Sequence, residues 1–248
     1  MTGFLLINKP PGPTSHDIVD KIRQISGEKR VGHSGTLDPF ASGVLLMGVG
    51  REATREFPKL TGLDKRYQAV LRLGAMSDTD DRTGKITNIR PSPGYATLPL
   101  GQGGGIQGEG LKKILQRFTG KIEQIPPMYS AKKIGGKKLY ELARQGLHVA
   151  RGPSHVEIFS IDIVEYFPLD TPHSITIEVH CSSGTYIRSL ARDIGAELGC
   201  GAYLEELERT AVGPFRIEET VRIDDLNAAN VEKYIFSTEK ILARCQRG

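Results

Sequence analysis

Nowhere do the 248 residues hold an apolar run near the ~18 that a membrane-spanning helix needs, so no helical membrane protein is expected. The opening Met1 to Lys9 has no basic n-region, no long apolar stretch and no cleavage site, so no signal peptide is expected either. The three cysteines, Cys181, Cys200 and Cys245, are odd in number and too far apart for a C-x-x-C pair. That argues against a disulfide framework and a structural zinc site. The six histidines show no H-E-x-x-H spacing, and no G-x-x-x-x-G-K-[ST] run is present. Any chemistry is therefore expected to run without metal or cofactor. With 38% hydrophobic and 25% charged residues the chain is neither disordered nor fibrous, and it reads as a globular protein of the cytoplasm.

Two motif-like runs are set aside. Gly103 to Gly108 matches G-x-G-x-x-G, but Leu98-Pro99-Leu100-Gly101 precedes it where a dinucleotide site needs a buried strand, so a surface loop is expected. Asp78 to Gly84 suggests a calcium loop, yet Arg82 takes a ligand position and the glycine comes one residue late. An acidic turn is the better reading.

Net charge is only +4, but it is unevenly spread. Lys121 to Arg151 carries a net +5, leaving −1 for the rest. Such a stretch is either a surface that meets a polyanion or a solvated helical face. Phe4 to Ile7 reads as a strand, Ser15 as the N-cap of a helix bearing Ile18, Ile22 and Ile25, and Gly27 as its end. Val44 to Val49 is an apolar run. Tyr67, Ala69, Leu71 and Leu73 alternate as a half-buried strand, and so do Ile175, Ile177 and Val179. Leu111, Ile114, Leu115 and Phe118 mark one helix, and Ile187, Leu190, Ala191, Ile194 and Leu198 another. Strands and helices interleaved without regular βαβ spacing predict an α+β fold on a mixed or antiparallel sheet.

Asp38 sits among glycines and just before Pro39, which restricts it to extended backbone. An Asp-Pro pair is commonly a turn. A carboxylate is also ionised at neutral pH and can act as a nucleophile without a metal or an activating base. Arg188 follows a strand-to-helix turn. It is either a surface helix residue or a guanidinium that grips such a carboxylate through two parallel hydrogen bonds.

Gly32-His33-Ser34-Gly35-Thr36-Leu37-Asp38-Pro39, Asp64-Lys65-Arg66-Tyr67, Ile125-Pro126-Pro127-Met128-Tyr129-Ser130-Ala131 and Gly184-Thr185-Tyr186-Ile187-Arg188 stand in the order of the TruB-type tRNA pseudouridine synthases. Leu6-Ile7-Asn8-Lys9-Pro10 and Leu198-Gly199-Cys200-Gly201-Ala202 resemble that family too, so the match spans residues 3 to 226. The resemblance implies the pseudouridine synthase fold, a largely antiparallel central sheet flanked by helices. It also implies isomerisation of uridine 55 in the T loop of tRNA, after base flipping and without a cofactor. Asp38 then matches the nucleophile, Tyr67 the tyrosine that stacks on the target base, and Arg188 the partner of the aspartate. Attack at C1′, attack on the ring and a glycal intermediate all stay open. His33 matches the residue inserted into the RNA loop, and Tyr186 and Leu207 match the lining of the uracil pocket. Lys9, Lys65, Tyr129 and Lys133 fall at positions assigned to RNA contact.

The basic stretch resembles the family's thumb-like insertion, about residues 121–152, within a catalytic domain of residues 1–226. Residues 227–248 are too few for the PUA-type module of bacterial relatives and are expected to form a short tail. The expected partner is the T-arm stem-loop of tRNA, with no membrane, guide RNA or protein required. The rival reading is an RNA-binding or RNA-folding protein whose catalysis is secondary.

Overall fold

A computed structural model describes residues 1–89, 108–130, 133–134, 136–139, 142, 145, 147, 149–167 and 174–246. Most of the glycine-rich run expected as a loop, residues 101–107, lies outside these, as do Lys132 and Arg144 of the basic stretch. The first part of the chain forms β1 (Gly3–Lys9), α1 (Ser15–Ser26), β2 (Val31–His33), β3 (Ser42–Val49), α2 (Gly50–Arg55) and α3 (Phe57–Leu60). Then come β4 (Lys65–Leu73), β5 (Ala75–Ser77), β6 (Ile86–Asn88), α4 (Gly108–Gln116), β7 (Gly120–Gln124), β8 (Lys133–Ile134) and β9 (Lys137–Lys138). The remainder forms β10 (Ser154–Phe167), β11 (Ser174–Cys181), α5 (Ile187–Glu197), β12 (Ala202–Val212), β13 (Phe215–Arg216), β14 (Val221–Arg222) and α6 (Thr238–Cys245). Two compact units result, Met1–Gln68 with Leu207–Gly248 and Ala69–Glu206, with the divisions falling inside β4 and β12. No helix among the described residues is long and apolar enough to cross a membrane.

In the first unit the strand order is β14-β1-β3-β12. β1 and β3 run antiparallel from Gly3↔Val49 to Lys9↔Gly43, and β2 lies antiparallel on β3. β14 joins β1 and β12 joins β3 in parallel, so the sheet is mixed, as its sequence predicts. Alternation splits β1 between two cores. Leu5 and Ile7 pack with Ile18, Val19 and Ile22 of α1, while Phe4 and Leu6 pack with Leu46, Phe215 and Ile241. Buried on both faces, β1 reads as an unbroken apolar run.

The cap of α1 lies one residue before the expected Ser15. Thr14 accepts from the Asp17 amide at 3.1 Å, and the Asp17 carboxylate accepts from the Thr14 amide at 2.7 Å, a reciprocal capping box. This frees Ser15, the first helical residue, for another task. Gly27 ends the helix at φ 68°, the left-handed conformation glycine favours.

Residues 227–246 are folded against this unit. Phe4 and Phe236 exchange two backbone hydrogen bonds of 2.9 Å, and α6 buries Ile241 in the Phe4 cluster. Arg244 lies over the Phe215 ring at 4.7 Å and pairs with Glu219 at 2.7 Å.

The second unit is built on β7, β10 and β11, all antiparallel. β7 and β10 are neighbours paired from Gln124↔Ser154 to Gly120↔Ile158. Residues 125–153 are therefore an insertion between two adjacent strands, and Lys121 and Glu123 belong to the sheet. Within it β8 and β9 pair, and Leu139 and Leu142 are buried. Gly195 lets α5 come close to the chain beyond it, since a Cβ there would sit 2.1 Å from the Ala202 amide nitrogen.

Ile241→Ala removes a fully buried side chain and is expected to cost about 3 kcal/mol. Urea melts with Glu239→Ala, on the exposed side of α6, as control check this.

Candidate active site

In the first unit, the segment carrying Asp38 is held by its own carbonyl groups. The Gly35 carbonyl accepts from Arg209 Nη2 at 3.1 Å and that of Thr36 from Arg209 Nη1 at 3.4 Å. The Leu37 carbonyl accepts from Ser15 Oγ at 3.1 Å, and the Leu37 amide returns a bond to the same hydroxyl at 2.9 Å. The Asp38 carbonyl accepts from Ala41 N at 3.1 Å. The Pro39 carbonyl accepts from Gly12 N at 2.7 Å and Lys9 Nζ at 3.2 Å. Five consecutive carbonyls are thus engaged, and three of the side chains that hold them, Lys9, Ser15 and Arg209, are almost wholly buried. The Asp38 side chain itself is half-buried.

Lys9 is fully buried, and its ammonium also donates to the carbonyls of Pro10 and Pro13, each at 2.8 Å. Burial pushes it from 10.5 down to about 8; the Asp38 charge pulls it back up and Arg209 adds to the drop. It is still charged at neutral pH. Lys65 is likewise buried and donates to the carbonyls of Thr61 at 3.0 Å and Leu63 at 2.6 Å. Both ammonium groups bind the chain itself, so the RNA contact expected of these lysines gives way to a positioning role.

The same unit places His33 at the end of β2, where burial lowers its pKa and Arg209 and His16 lower it further. A neutral imidazole can enter a stack of bases without the cost of burying a charge. Its Nδ1 is buried without a hydrogen-bond partner among the described residues. Tyr67 on β4 and Leu207 on β12 are both buried.

The second unit carries Arg188, Tyr186, Tyr129 and Lys133. Tyr186 is the N-cap of α5, and the Gln124 side chain clamps it, accepting from its amide at 2.8 Å and donating to its carbonyl at 2.9 Å. Arg188, 3% exposed, donates to the Tyr129 carbonyl at 2.7 Å and the Thr79 carbonyl at 3.3 Å, and faces Asp81 Oδ2 at 3.3 Å. The other oxygen of Asp81 accepts from Thr79 Oγ1 at 2.8 Å, the Thr83 amide at 2.9 Å and Thr83 Oγ1 at 2.5 Å. One carboxylate so ties the acidic turn to the guanidinium. Asp80, at φ 63°, meets Arg192 Nη1 at 2.9 Å. Burial raises the Asp80 pKa, against the pull of Arg192 and Arg188. The turn expected at Asp78 to Gly84 is present, but the sequence did not indicate that it anchors α5.

Segment 125–130 is fastened in the same manner as the Asp38 segment. Ser189 Oγ donates to the Ile125 carbonyl at 2.9 Å, Arg151 to that of Pro126 at 3.0 Å and Arg188 to that of Tyr129. The Tyr129 ring is 42% exposed and available for contact. Lys133 lies on β8. Sequence reasoning missed Ser15, Arg209, Gln124 and Asp81, because none stands in a recognisable spacing with the residue it supports.

The family model described as "TruB family pseudouridylate synthase (N terminal domain)" matches residues 23–187. That of the "tRNA pseudouridylate synthase B C-terminal domain" matches residues 188–245. A tRNA pseudouridine synthase B of Geotalea uraniireducens is 44% identical over 225 residues, 91% of this chain and 67% of that protein. One of Heliobacterium modesticaldum is 43% identical over 243 residues, 98% of this chain and 75% of that protein. Among solved structures, a Cbf5–Nop10–Gar1 complex matches at TM-score 0.65 and 30% identity, over 90% of this chain and 53% of that one. An H/ACA RNP bound to a substrate RNA containing 2′-deoxyuridine matches at TM-score 0.61 and 28% identity, over 90% of this chain and 51% of that one. The chain thus spans about half the length of these two solved chains.

Lys9 generates a pH prediction. Between about pH 8 and 10.5 the folded chain sheds this proton while the unfolded chain keeps it, so the Lys9 contribution to stability rises with pH across that window. The stability difference between wild type and Lys9→Met should shift toward wild type from pH 8 to 10, by on the order of 1–3 kcal/mol, in parallel urea melts.

Proposed function

Since the chain belongs to the TruB family of pseudouridylate synthases, we propose that it isomerises uridine 55 in the T loop of tRNA, with Asp38 as the nucleophile. The observation that carries this reading is the fixing of the Asp38 segment through five consecutive carbonyls. A nucleophile gains from being held in place before the substrate arrives, because a misplacement of about 1 Å can cost roughly 100-fold in rate.

The target lies inside a folded RNA loop, so its base must leave the stack, at a cost of about a few kcal/mol. The neutral imidazole of His33 is suited to fill the vacated space, and the ring of Tyr67 to stack on the extruded uracil. Leu207, buried in the same unit as Tyr67, is assigned to the wall of its pocket. Whichever atom the carboxylate meets first, the N1–C1′ bond breaks, the uracil turns, and C5 bonds to C1′. The C5 proton is lost and N1 ends protonated, so atoms balance with nothing consumed. Arg188, in the second unit, is held by the Tyr129 and Thr79 carbonyls and faces Asp81. Tyr129, Lys133 and the basic residues of 125–153 are assigned to the T arm, where phosphate contacts supply affinity and register.

T-arm RNA is the proposed partner, with neither guide RNA nor protein. A T-arm transcript tritiated at uridine C5 and mixed with the purified chain alone should release label. Asp38→Ala should reduce release by at least ~1,000-fold while leaving filter binding of the RNA intact. Release by Asp38→Ala at the wild-type rate would remove Asp38 from the chemistry.

A further inference from the structure

Arg209 stands on β12, two residues beyond Leu207, and is buried at 2% exposure directly behind the Asp38 segment. Its chain partner explains the placement. β12 meets β3 at the pair Arg209↔Gly43, and Gly43 adopts φ +105°. A Cβ at Gly43 would stand 2.3 Å from the Arg209 carbonyl oxygen and 2.7 Å from its amide nitrogen. Only glycine lets the two backbones come this close. The approach delivers the guanidinium to three main-chain oxygens at once: Val44 from Nε at 2.8 Å, Gly35 from Nη2 at 3.1 Å and Thr36 from Nη1 at 3.4 Å.

One planar group therefore bonds both a strand and the loop that precedes it. Thr36 is two residues from Asp38, so whatever fixes its carbonyl fixes the approach of the carboxylate. A lysine ammonium at this position keeps the charge but has no rigid fork to span the strand and the loop.

We propose that Arg209 is a positioning residue for the isomerisation, setting where the Asp38 carboxylate stands by locking Gly35 and Thr36 to β3. The inference rests on the assignment of Asp38 as nucleophile.

The test compares wild type, Arg209→Lys and Arg209→Ala on tritiated T-arm RNA, under single turnover with saturating enzyme. Filter binding gives the RNA affinity, and thermal melts followed by circular dichroism establish folding. Arg209→Lys should lose roughly 10- to 100-fold in rate with affinity kept within about threefold. Methylguanidinium added to Arg209→Ala should recover part of the rate. A folded Arg209→Lys that reacts at the wild-type rate overturns the proposal, as does a loss of affinity that accounts for the loss of rate. So does failure of both variants to fold, since the guanidinium would then serve the core and not the site. A wild-type chain that releases no tritium sinks the isomerase reading first, and this inference with it.

Discussion

A cation bonded to main-chain carbonyl groups holds two irregular segments of this chain still. Arg209 and Lys9 do this for the segment around Asp38, and Arg188 and Arg151 for the segment around Tyr129. Irregular backbone has no ladder to satisfy its oxygens, and leaving such a group buried and unpaired costs about 1–3 kcal/mol. A charged donor meets that need with a stronger bond than a neutral one makes. The cations must in turn be desolvated, and burial pushes Lys9 down to about 8. Helices and strands place the cations, and the cations place the loops.

The hydroxyl groups of Ser15 and Ser189 complete this arrangement. Each stands in the first turn of its helix, and each bonds the carbonyl of a distant loop residue, Leu37 and Ile125 respectively. Small side chains suit this work because they bring helix and loop backbones close together. The capping box of Thr14 and Asp17 is a precondition for the first of them: with Thr14 as the cap, Ser15 turns inward. A shift of one residue in where α1 begins would rotate that hydroxyl away from Leu37.

Much of the core was legible from local pattern. β1, β3, β4 and β11 follow their apolar runs or alternations, and α1 and α5 their apolar faces. β12 was not. Tyr203-Leu204-Glu205-Glu206-Leu207-Glu208 is composed largely of helix-favouring residues, and its place in the sheet between β3 and β4 makes it a strand. The expectation of Ser15 as cap missed by one residue because Thr14 and Ser15 are both competent caps, and the reciprocal bonds of Thr14 with Asp17 and of Ser15 with Leu37 separate them. Asp38 and Arg188 could be singled out by chemistry and family motif. Arg209, Gln124 and Asp81 could not, since their partners are backbone groups or lie far off in the sequence. The resemblance places Lys9 and Lys65 at RNA-contact positions, and the structure shows both buried and bonded to carbonyls of the chain.

Because the anchors of the Asp38 segment grip oxygen atoms of the peptide chain, they do not register which amino acid supplies them. Thr36, whose side chain is exposed, presents its carbonyl to Arg209 as almost any other residue would. Tolerance to substitution is therefore expected to be uneven around Asp38. Thr36, two places from Asp38, is expected to accept other side chains, while Arg209 and Ser15, which bond through their own side chains, are not.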